Sequence, residues 1–392
     1  MNNQTDHAYK PRRFYFDWAA TAVPSTVDDG VFIDKGGVFG TPSSRHLEGR
    51  AAQASLEEAR SRCAAVLGVL PETLYFTSGG TESNALVLFS LLLRPQKVKL
   101  LYSAVEHPSV RENCLALERF GISLAQIRVE QDGRVSRETL AAALEKHPDA
   151  RFVSIMAVNN ETGSFMDMQS LSPLIRSRAG APIHFHSDLV QAAGKIPLDI
   201  KGWDIDSASI SAHKIGGPMG TGLLYLKKPV QTLYSGGGQE GKIRPGTENL
   251  AGALHMAKSL EKYARPGAQE AFFNEASSRM KFLISGLKKN KRSILIPETR
   301  EEGDPRFSPW ILQARFKGVP GEVMVRALDS EGFAVSTGSA CSSSSQERPV
   351  LSALGLDNTA RLEGIRISQG WSTSLSDIEA LLEAIEKVLG IL

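Results

Sequence analysis

Short apolar stretches along the first half of the chain end in small or polar residues, and segments with helical spacing lie between them. We predict a strand that ends in TSGGTES (77–83), further strands at 99–104, 152–158 and 183–187, and helices at 47–69, 84–93 and 110–120. This alternation predicts an α/β fold with a mostly parallel, doubly wound sheet. In such a sheet the residues that follow the strands meet at the carboxyl edge, where ligands bind.

The stretch 206–226 is predicted to form two strands joined by a tight bend, because period-two alternation lies on both sides of a cluster of glycine and proline. Lys214 stands at the end of the first of these strands, among residues too small to crowd a bound molecule. A lysine that forms an imine with an aldehyde needs such surroundings, because its amine must be neutral and closely approached. We therefore predict a catalytic role for Lys214.

The stretch TSGGTES ends a strand and leads directly into a helix. Glycine and hydroxyl residues at a helix start expose backbone N–H groups, which bind phosphate. The stretch is not a Walker loop, because no GK[ST] follows it. The alternative is an ordinary helix cap formed by Thr81 or Ser83.

Three cysteines and one pair of histidines give no metal site. Cys63, Cys114 and Cys341 are odd in number and lack CxxC spacing, so neither a disulfide framework nor a zinc site is expected. We interpret His184 and His186 as pointing to opposite faces of their strand, which would keep them from sharing a metal. Cys63 lies on the apolar face of a helix and is predicted to be core packing.

Cys341 differs from the other two cysteines in its surroundings. It lies in STGSACSSSSQ (336–346), where no apolar period would bury it. An open loop of small residues suits a nucleophilic thiol. The alternative is a flexible serine linker with an incidental cysteine.

A change in composition divides the chain. Near 260–300 the sequence passes through KKNKRS and PETREEGDPR, and we predict a large domain at 14–260 and a small α/β domain at 261–392, on which residues 1–13 could pack. The elements predicted here are helices at 250–263 and 268–287, strands at 310–316 and 365–368, and helices at 321–330 and 376–389. Ser376 and Glu379 have the spacing of a capping box.

The composition limits the possible partners. Lys and Arg number 45 and Asp and Glu 43, a net charge of +2, so neither nucleic acid nor an anionic membrane is expected as a direct partner. The longest apolar run, 85–93, is well short of the roughly 20 residues of a membrane span. Residues 1–13 are polar, without the apolar region of a secretory signal. A cytoplasmic protein is expected.

The residues at the predicted sheet edge together describe a pyridoxal 5′-phosphate pocket. The lysine and the phosphate cradle are joined there by an acid, Asp188, and an imidazole, His107. An ionised acid is needed to hold the pyridine nitrogen protonated, so that the ring can withdraw electrons. The imidazole can stack on the ring, and the amine of Lys214 can remove the α-proton of the substrate.

Ten stretches of the chain resemble those of cysteine desulfurases of the NifS and IscS type, in the class V aminotransferase branch of the fold-type I pyridoxal-phosphate enzymes. They are YFDWAATAVP, TPSSRHLEGR, FTSGGTESNAL, EHPSV, NNETG, HSDLVQAAGKIPLDI, SISAHKIGGPMGTGLLYL, GGGQEGKIRPGTEN, STGSACSSSS and IRISQG. They follow the family's order from residue 14 to about residue 370.

The resemblance implies the residues that hold the cofactor. Lys214 would bind it covalently, Asp188 would pair with the ring nitrogen, and His107 would stack on the ring. Gln191 would contact the ring hydroxyl. The implied phosphate ligands are Gly80, Thr81, Ser211 and His213, together with Thr247 from a neighbouring subunit, so that a homodimer is expected.

The resemblance also implies the chemistry of the substrate. Asn160 and Arg366 would hold L-cysteine, with Arg366 as a bidentate clamp on its carboxylate. Cys341 would attack the substrate sulfur, leaving L-alanine and a persulfide on the protein. The persulfide would pass to a sulfur acceptor, which in most relatives is an iron–sulfur scaffold or a tRNA-thiolation protein.

The chain departs from the family pattern at Trp18, Thr41, Met219 and Trp371. Two alternatives to a cysteine desulfurase stay open. One is a selenocysteine lyase or another class V aminotransferase-like enzyme, in which Cys341 matters less. The other is a catalytically weak subunit retained as a scaffold for sulfur-carrier partners.

Overall fold

A computed structural model describes residues 13–25, 39–94, 98–178, 180, 182–338 and 348–392. The predicted nucleophile, Cys341, lies outside these residues. Within them, no helix is long and apolar enough to cross a membrane.

The described residues form strands and helices that alternate along most of the chain. The strands are β1 (Phe14–Tyr15), β2 (Leu74–Thr77), β3 (Lys99–Ser103), β4 (Ser123–Ile127), β5 (Ala150–Ser154), β6 (His184–Asp188), β7 (Ser207–Ser211), β8 (Gly222–Leu226), β9 (Ser293–Ile296), β10 (Ile311–Phe316), β11 (Phe333–Ala334) and β12 (Gly364–Ser368). The α-helices are α1 (Leu47–Leu67), α2 (Gly80–Phe89), α3 (Pro108–Glu118), α4 (Arg137–Lys146), α5 (Met168–Arg176), α6 (Leu250–Tyr263), α7 (Ala268–Lys289), α8 (Gly321–Ser330), α9 (Pro349–Ala353), α10 (Asn358–Glu363) and α11 (Leu375–Ile391).

The main sheet has seven strands in the order β2-β8-β7-β6-β5-β3-β4. The strands β7, β6, β5, β3 and β4 run parallel to one another. Strand β8 runs antiparallel to both of its neighbours, β7 and β2. Side chains alternate between two apolar clusters: Leu101 of β3 packs with α1, α4, α5 and α6, while Leu100 and Tyr102 pack with α2 and α3. Helices therefore cover both faces, and the predicted α/β fold with a mostly parallel sheet is confirmed.

A second, antiparallel sheet has the order β12-β10-β9. Its apolar cluster includes side chains from α7, α8 and α11, and also Phe16 from the N-terminal segment. The short strands β1 and β11 pair in parallel beside it. The division of the chain near residue 260 stays a prediction.

One predicted helix start and one predicted helix cap are wrong. Helix α2 begins at Gly80, four residues earlier than expected, because Gly79 and Gly80 take part in the helix start instead of preceding it. Helix α11 is capped by Ser374, whose side chain accepts a hydrogen bond from the amide of Asp377. Ser374 and Asp377 have the same spacing as the predicted pair Ser376 and Glu379, and the earlier pair forms the box.

Two strand predictions also need correction. Strand β5 ends at Ser154, although the amides of Ile155 and Ala157 still donate to carbonyls of the β6 strand. Strands β7 and β8 pair in antiparallel fashion as expected. Their connection spans residues 212–221 and includes a 3₁₀ turn, Ala212–Lys214, so it is not a tight bend.

A buried ion pair attaches the glycine-rich loop after β8 to the main sheet. The guanidinium of Arg60 in α1 donates to both carboxylate oxygens of Glu240, at 2.7 and 2.8 Å. The amide of Phe76 in β2 donates to the same carboxylate at 2.7 Å. The side chain of Glu240 is 1% exposed and that of Arg60 is 9% exposed. Arg60 also pairs with the exposed Glu57 at 3.1 Å, and Glu240 is its buried counter-ion.

We expect Glu240→Ala to lower the free energy of unfolding by about 3–5 kcal/mol, because the buried Arg60 would keep only the exposed Glu57 as a counter-ion. Urea unfolding followed by circular dichroism measures the change. The control is Glu322→Ala, which removes the exposed i,i+4 partner of Arg326 and should cost at most about 1 kcal/mol. Equal losses in the two variants would contradict the prediction.

Candidate active site

Four predicted site residues from different strand ends lie within electrostatic range of one another. His107 follows β3, Asp188 ends β6, Lys214 follows β7 and Arg366 lies in β12. Burial is the main cause that lowers the pKa of His107; the charge of Asp188 raises that pKa, and the charges of Lys214 and Arg366 lower it. The structure therefore brings these motifs together.

Lys214 is held by the N-terminal segment of the chain. Its Nζ donates to the carbonyl oxygens of Ala19 and Ala20, each at 2.6 Å. The Nε2 of Gln191 donates to the same oxygen of Ala19 at 2.8 Å. Because both side chains contact one oxygen atom, Lys214 and Gln191 lie side by side.

Asp188 is buried and accepts a hydrogen bond on each carboxylate oxygen. The amide of Val190 donates to Oδ1 at 2.9 Å, and the Nδ2 of Asn84 donates to Oδ2 at 2.9 Å. Two N–H donors are the surroundings that an ionised carboxylate prefers. Asp188 is therefore placed as the anion of the site.

The start of α2 is formed by glycines that no other residue could replace without movement. A Cβ on Gly80 would lie 2.6 Å from Cγ2 of Val190, and a Cβ on Gly222 would lie 2.6 Å from the Cα of Gly79. The alternative of a side-chain cap is wrong, because the N-cap is Gly79. The first amides of a helix have no acceptor within the helix, so this start fits an anion such as phosphate.

Two further predicted phosphate ligands lie on β7 and the turn that follows it. Ser211 is buried, and its Oγ lies 3.7 Å from the position that a Cβ on Gly79 would occupy. The Nδ1 of His213 lies 3.2 Å from Oγ1 of Thr21. Burial and the charges of Lys214 and Lys195 lower the pKa of His213 to about 4.

The amine of Lys214, the carboxylate of Asp188 and the open helix start thus lie at one sheet edge. An amine, an anion and a phosphate cradle are the groups that pyridoxal phosphate needs. The residues present fit this cofactor. Thr81 and Thr247 are exposed, and the expected contact of Thr247 concerns another subunit.

Arg366 is buried between two other residues of the site. Its Nη1 donates to the carbonyl oxygen of Asn160 at 2.9 Å, and its Nη2 donates to Oδ1 of Asp17 at 2.7 Å. Within the described part of the chain, Nε of Arg366 and Oδ1 of Asn160 are buried without a hydrogen-bond partner. One donor and one acceptor of the site are therefore left unsatisfied.

The sequence motifs gave no site role to the segment 17–22, although it contacts several of the predicted site residues. Asp17 pairs with Arg366, the carbonyls of Ala19 and Ala20 accept from Lys214, and the amide of Ala22 donates to the carbonyl of His213 at 2.8 Å. The signal was an acid directly after an apolar strand, the same pattern that located Asp188.

A second residue missed at the sequence level is Lys195. It is 2% exposed, and its Nζ donates to Oε1 of Gln191 at 2.7 Å. Burial, with the charges of Lys214 and Arg366, lowers the pKa of Lys195 to about 7. Its position four residues after Gln191, in the turn that follows β6, was the available signal.

The interpretation of His184 and His186 is wrong, although no metal site results. Their ring nitrogens lie 2.7 and 2.8 Å from one oxygen, Oγ of Ser207, so the two rings share a face. Residues two apart on a strand point to the same side. Burial lowers the pKa of each ring to about 3. Among the described residues, no cluster of three or more His, Cys, Asp or Glu could hold a metal ion.

Cys63 and Cys114 are free and buried in the core. Burial raises the pKa of Cys63 to about 12 and also raises that of Cys114. The prediction of core packing for Cys63 is confirmed. The last described residue before Cys341 in the sequence is Gly338, whose carbonyl oxygen lies 3.3 Å from Nη1 of Arg366.

Two of the four departures from the family pattern contact each other. The rings of Trp18 and Trp371 meet edge to face at 5.8 Å, and Trp371 also stacks on Tyr263 at 4.0 Å. Trp18 lies so close to Gly370 that a Cβ there would be 1.9 Å from its ring. Thr41 and Met219 are exposed. Trp18 therefore fixes the segment 17–22 through packing.

Comparison with known proteins identifies relatives over nearly the whole chain. The family described as "Aminotransferase class-V" matches residues 14–381. The cysteine desulfurase IscS of Dictyoglomus turgidum is 35% identical over 96% of this chain and 95% of its own. A cysteine desulfurase of Cereibacter sphaeroides is 37% identical over 90% of this chain and 89% of its own.

Solved structures agree with these relatives. A NifS-like protein superposes with a TM-score of 0.87 at 30% identity, over 97% of this chain and all of its own (100%). SspA in complex with cysteine superposes with a TM-score of 0.77 at 25% identity, over 91% of this chain and 98% of its own. The chain belongs to the class V aminotransferase family, among its NifS- and IscS-like members.

Proposed function

We propose that the protein is a pyridoxal-phosphate-dependent cysteine desulfurase, which converts L-cysteine to L-alanine and forms a persulfide on Cys341. The observation that carries the proposal is the meeting of Lys214, Asp188 and His107 at one edge of the main sheet, where the charge of Arg366 from β12 also acts on His107. Relatives that bear the name cysteine desulfurase, at 35–37% identity, support it.

The residues at the helix start and the strand ends would hold the cofactor. Its phosphate would lie at Gly80, Thr81, Ser211 and His213, its ring nitrogen at Asp188, its ring hydroxyl at Gln191, its ring face at His107 and its aldehyde at Lys214. When bound, pyridoxal phosphate supplies an electron-withdrawing ring that acidifies the α-carbon of an amino acid.

Arg366 and Asn160 would bind the substrate. The open Nε of Arg366 suits the carboxylate of cysteine, and the open Oδ1 of Asn160 suits a donor group. Asp17 accepts from Nη2 of the same guanidinium, which fixes its direction before a substrate arrives. The positive charge of Arg366 then selects substrates that carry a carboxylate.

Lys214 and His107 would move protons at the α-carbon and at the product. The amine of Lys214 is the base for the α-proton, and the two carbonyls of Ala19 and Ala20 orient it. Lys195 donates to Gln191 and holds its amide in place beside Lys214. The amine of Lys214 and the amide of Gln191 beside it are thus both held by hydrogen bonds to neighbouring residues.

Cys341 would carry the sulfur. Its thiolate forms an S–S bond with the sulfur of cysteine while the C–S bond of the substrate breaks, and a proton added to that carbon completes alanine. The thiol plus cysteine thus gives the persulfide plus alanine, with no outside oxidant. An iron–sulfur scaffold or a tRNA-thiolation protein would accept the sulfur.

We also infer a cytoplasmic homodimer. The resemblance would place Thr247 at the phosphate site of the partner subunit, and the exposure of Thr247 in one chain supports such a role.

The first test separates the cofactor from the sulfur chemistry. We expect Lys214→Ala to lose the yellow chromophore and at least about 10²–10⁴-fold of the rate of alanine formation, because the base is removed. Cys341→Ser should keep the chromophore and form neither persulfide nor sulfide. Alanine is measured by chromatography, and sulfide is measured after addition of a reductant.

The control is Cys63→Ala, which removes a core thiol and should keep the wild-type rate. Undiminished sulfide formation by Cys341→Ser would contradict the persulfide route and favour an enzyme in which this cysteine matters less. A wild-type protein that binds no pyridoxal phosphate would favour the scaffold alternative.

The second test concerns the carboxylate clamp. We expect Arg366→Lys to lower kcat/KM for L-cysteine by about 10–100-fold, mainly through KM, since a charge-assisted hydrogen bond contributes about 1.5–3 kcal/mol. Arg315→Lys, in the neighbouring strand β10, is the matched control and should leave KM unchanged. An unchanged KM in Arg366→Lys would place the substrate carboxylate elsewhere.

The third test uses the buried amine of Lys195. Its pKa is about 7 in the folded protein and ordinarily 10.5, so between these values the unfolded chain binds more protons and stability rises with pH. Thermal unfolding of the cofactor-free protein at pH 7 and pH 9 should show a larger gain in Tm for the wild type than for Lys195→Met. Equal gains would contradict the lowered pKa.

A further inference from the structure

A series of buried hydrogen bonds connects Asp188 and His107 through residues that the proposed mechanism does not use. Its centre is Asn84 in α2, which is 0% exposed. The Nδ2 of Asn84 lies 2.9 Å from Oδ2 of Asp188 and 2.8 Å from Oγ of Ser109, and its Oδ1 lies 2.9 Å from Nε2 of His186. One amide thus contacts three side chains from three other parts of the chain.

The orientation of the Asn84 amide follows from its partners. An ionised carboxylate can only accept hydrogen bonds, so the NH₂ group of Asn84 must face Asp188. Its oxygen then faces His186 and accepts from Nε2–H. The reversed amide would set an oxygen against the carboxylate and an NH₂ group against a ring N–H.

The hydrogen bonds beyond His186 also point their donors towards Asn84. His186 is neutral, because burial lowers its pKa to about 3. With its proton on Nε2, its Nδ1 accepts from the hydroxyl of Ser207 at 2.8 Å, and that hydroxyl accepts from Nε2 of His184 at 2.7 Å. Hydrogen bonds that are aligned in a low-dielectric interior strengthen one another. The donors of the whole series point towards Asp188 and Ser109.

Ser109 continues the series of hydrogen bonds from Asn84 to His107. Its hydroxyl oxygen accepts from Asn84, and its proton is then available to the Nδ1 of His107, 2.8 Å away. The backbone amide of Ser109 also donates to this Nδ1 at 3.1 Å, since His107 caps α3. A nitrogen that accepts from an amide cannot carry a proton, so the proton of the ring lies on Nε2.

We propose that Asn84 is a positioning residue that sets the protons of the site: through the Ser109 hydroxyl it keeps His107 neutral with its proton on Nε2, and it directs its NH₂ group at the carboxylate of Asp188. Its importance for catalysis rests on the proposed function, because that function supplies the roles of His107 and Asp188. The placement of the protons depends only on the chain.

The surroundings of His107 are consistent with a neutral ring. The cations Lys214 and Arg366 oppose a second proton, and the anion Asp188 favours it. Burial and the charge of Asp188 raise the pKa of Glu106, directly before His107, well above its usual range, so its negative charge is disfavoured. A second proton on Nδ1 would also break its hydrogen bond from the backbone amide of Ser109. His107 therefore serves as a donor from Nε2.

The first experiment measures the proton itself. In protein labelled with ¹⁵N-histidine, with and without pyridoxal phosphate, the signals of His107 are assigned by their loss in His107→Gln. We expect a protonated Nε2 and an unprotonated Nδ1 from pH 6 to pH 9. An imidazolium at pH 7, or a proton on Nδ1, would overturn the proposal, whatever the enzyme activity proves to be.

The second experiment uses Asn84→Ala and Ser109→Ala. Ser109→Ala removes one of the two donors to the neutral ring and should raise the pKa of His107 by about one unit, since one unit corresponds to about 1.4 kcal/mol, the size of one hydrogen bond. Asn84→Ala removes the donor to the Ser109 hydroxyl and should raise the pKa of His107 in the same direction. The acidic limb of the pH profile of kcat/KM should shift upward by the same amount. Ser109→Thr, which keeps the hydroxyl, should restore the wild-type profile.

The matched control is Ser136→Ala, which removes the side-chain cap of α4 and should leave the imidazole signals and the pH profile unchanged. If Asn84→Ala does not fold, Ser109→Ala decides, because it keeps the backbone amide that donates to the His107 cap of α3. An unchanged pKa of His107 in the folded variants would overturn the role of Asn84. Shifted signals in a protein without desulfurase activity would support the proton placement and reject the proposed function.

Discussion

The candidate site depends on the burial of charged groups that must each find a partner. Asp188, Arg366 and Lys195 are almost fully enclosed at the edge of the main sheet. An unpaired charge in such a position costs several kcal/mol, so the surrounding chain is constrained to supply donors and acceptors. Asn84, Asp17 and Gln191 supply them, and their positions follow from this need.

The same constraint explains why loops that are distant in sequence converge. Parallel strands deliver His107, Asp188 and Lys214 to one edge, but they do not orient the side chains. Orientation comes from backbone carbonyls of the segment 17–22 and from the first turns of α2 and α3. The sheet thus gives the location of the site, while the irregular segments around it give its geometry.

Much of this could be predicted from the sequence, because polar residues at strand ends are a local signal. Lys214, Asp188 and His107 were found in this way, and the sheet followed from the alternation of strands and helices. Partners such as Asp17 and Asn84 were missed, because their contacts join residues 349 and 104 positions apart. The start of α2 was missed because only close packing with Val190 and β8 shows why glycines stand there.

The pairing of Asp17 with Arg366 has a consequence for the order in which the site is assembled. The residues that would hold the cofactor within one chain lie between Gly80 and Lys214, so they exist once little more than half of the 392 residues have been synthesised. The carboxylate clamp joins an acid near the N-terminus to an arginine 349 positions later. A nascent chain therefore has its cofactor groups long before it can recognise an amino acid.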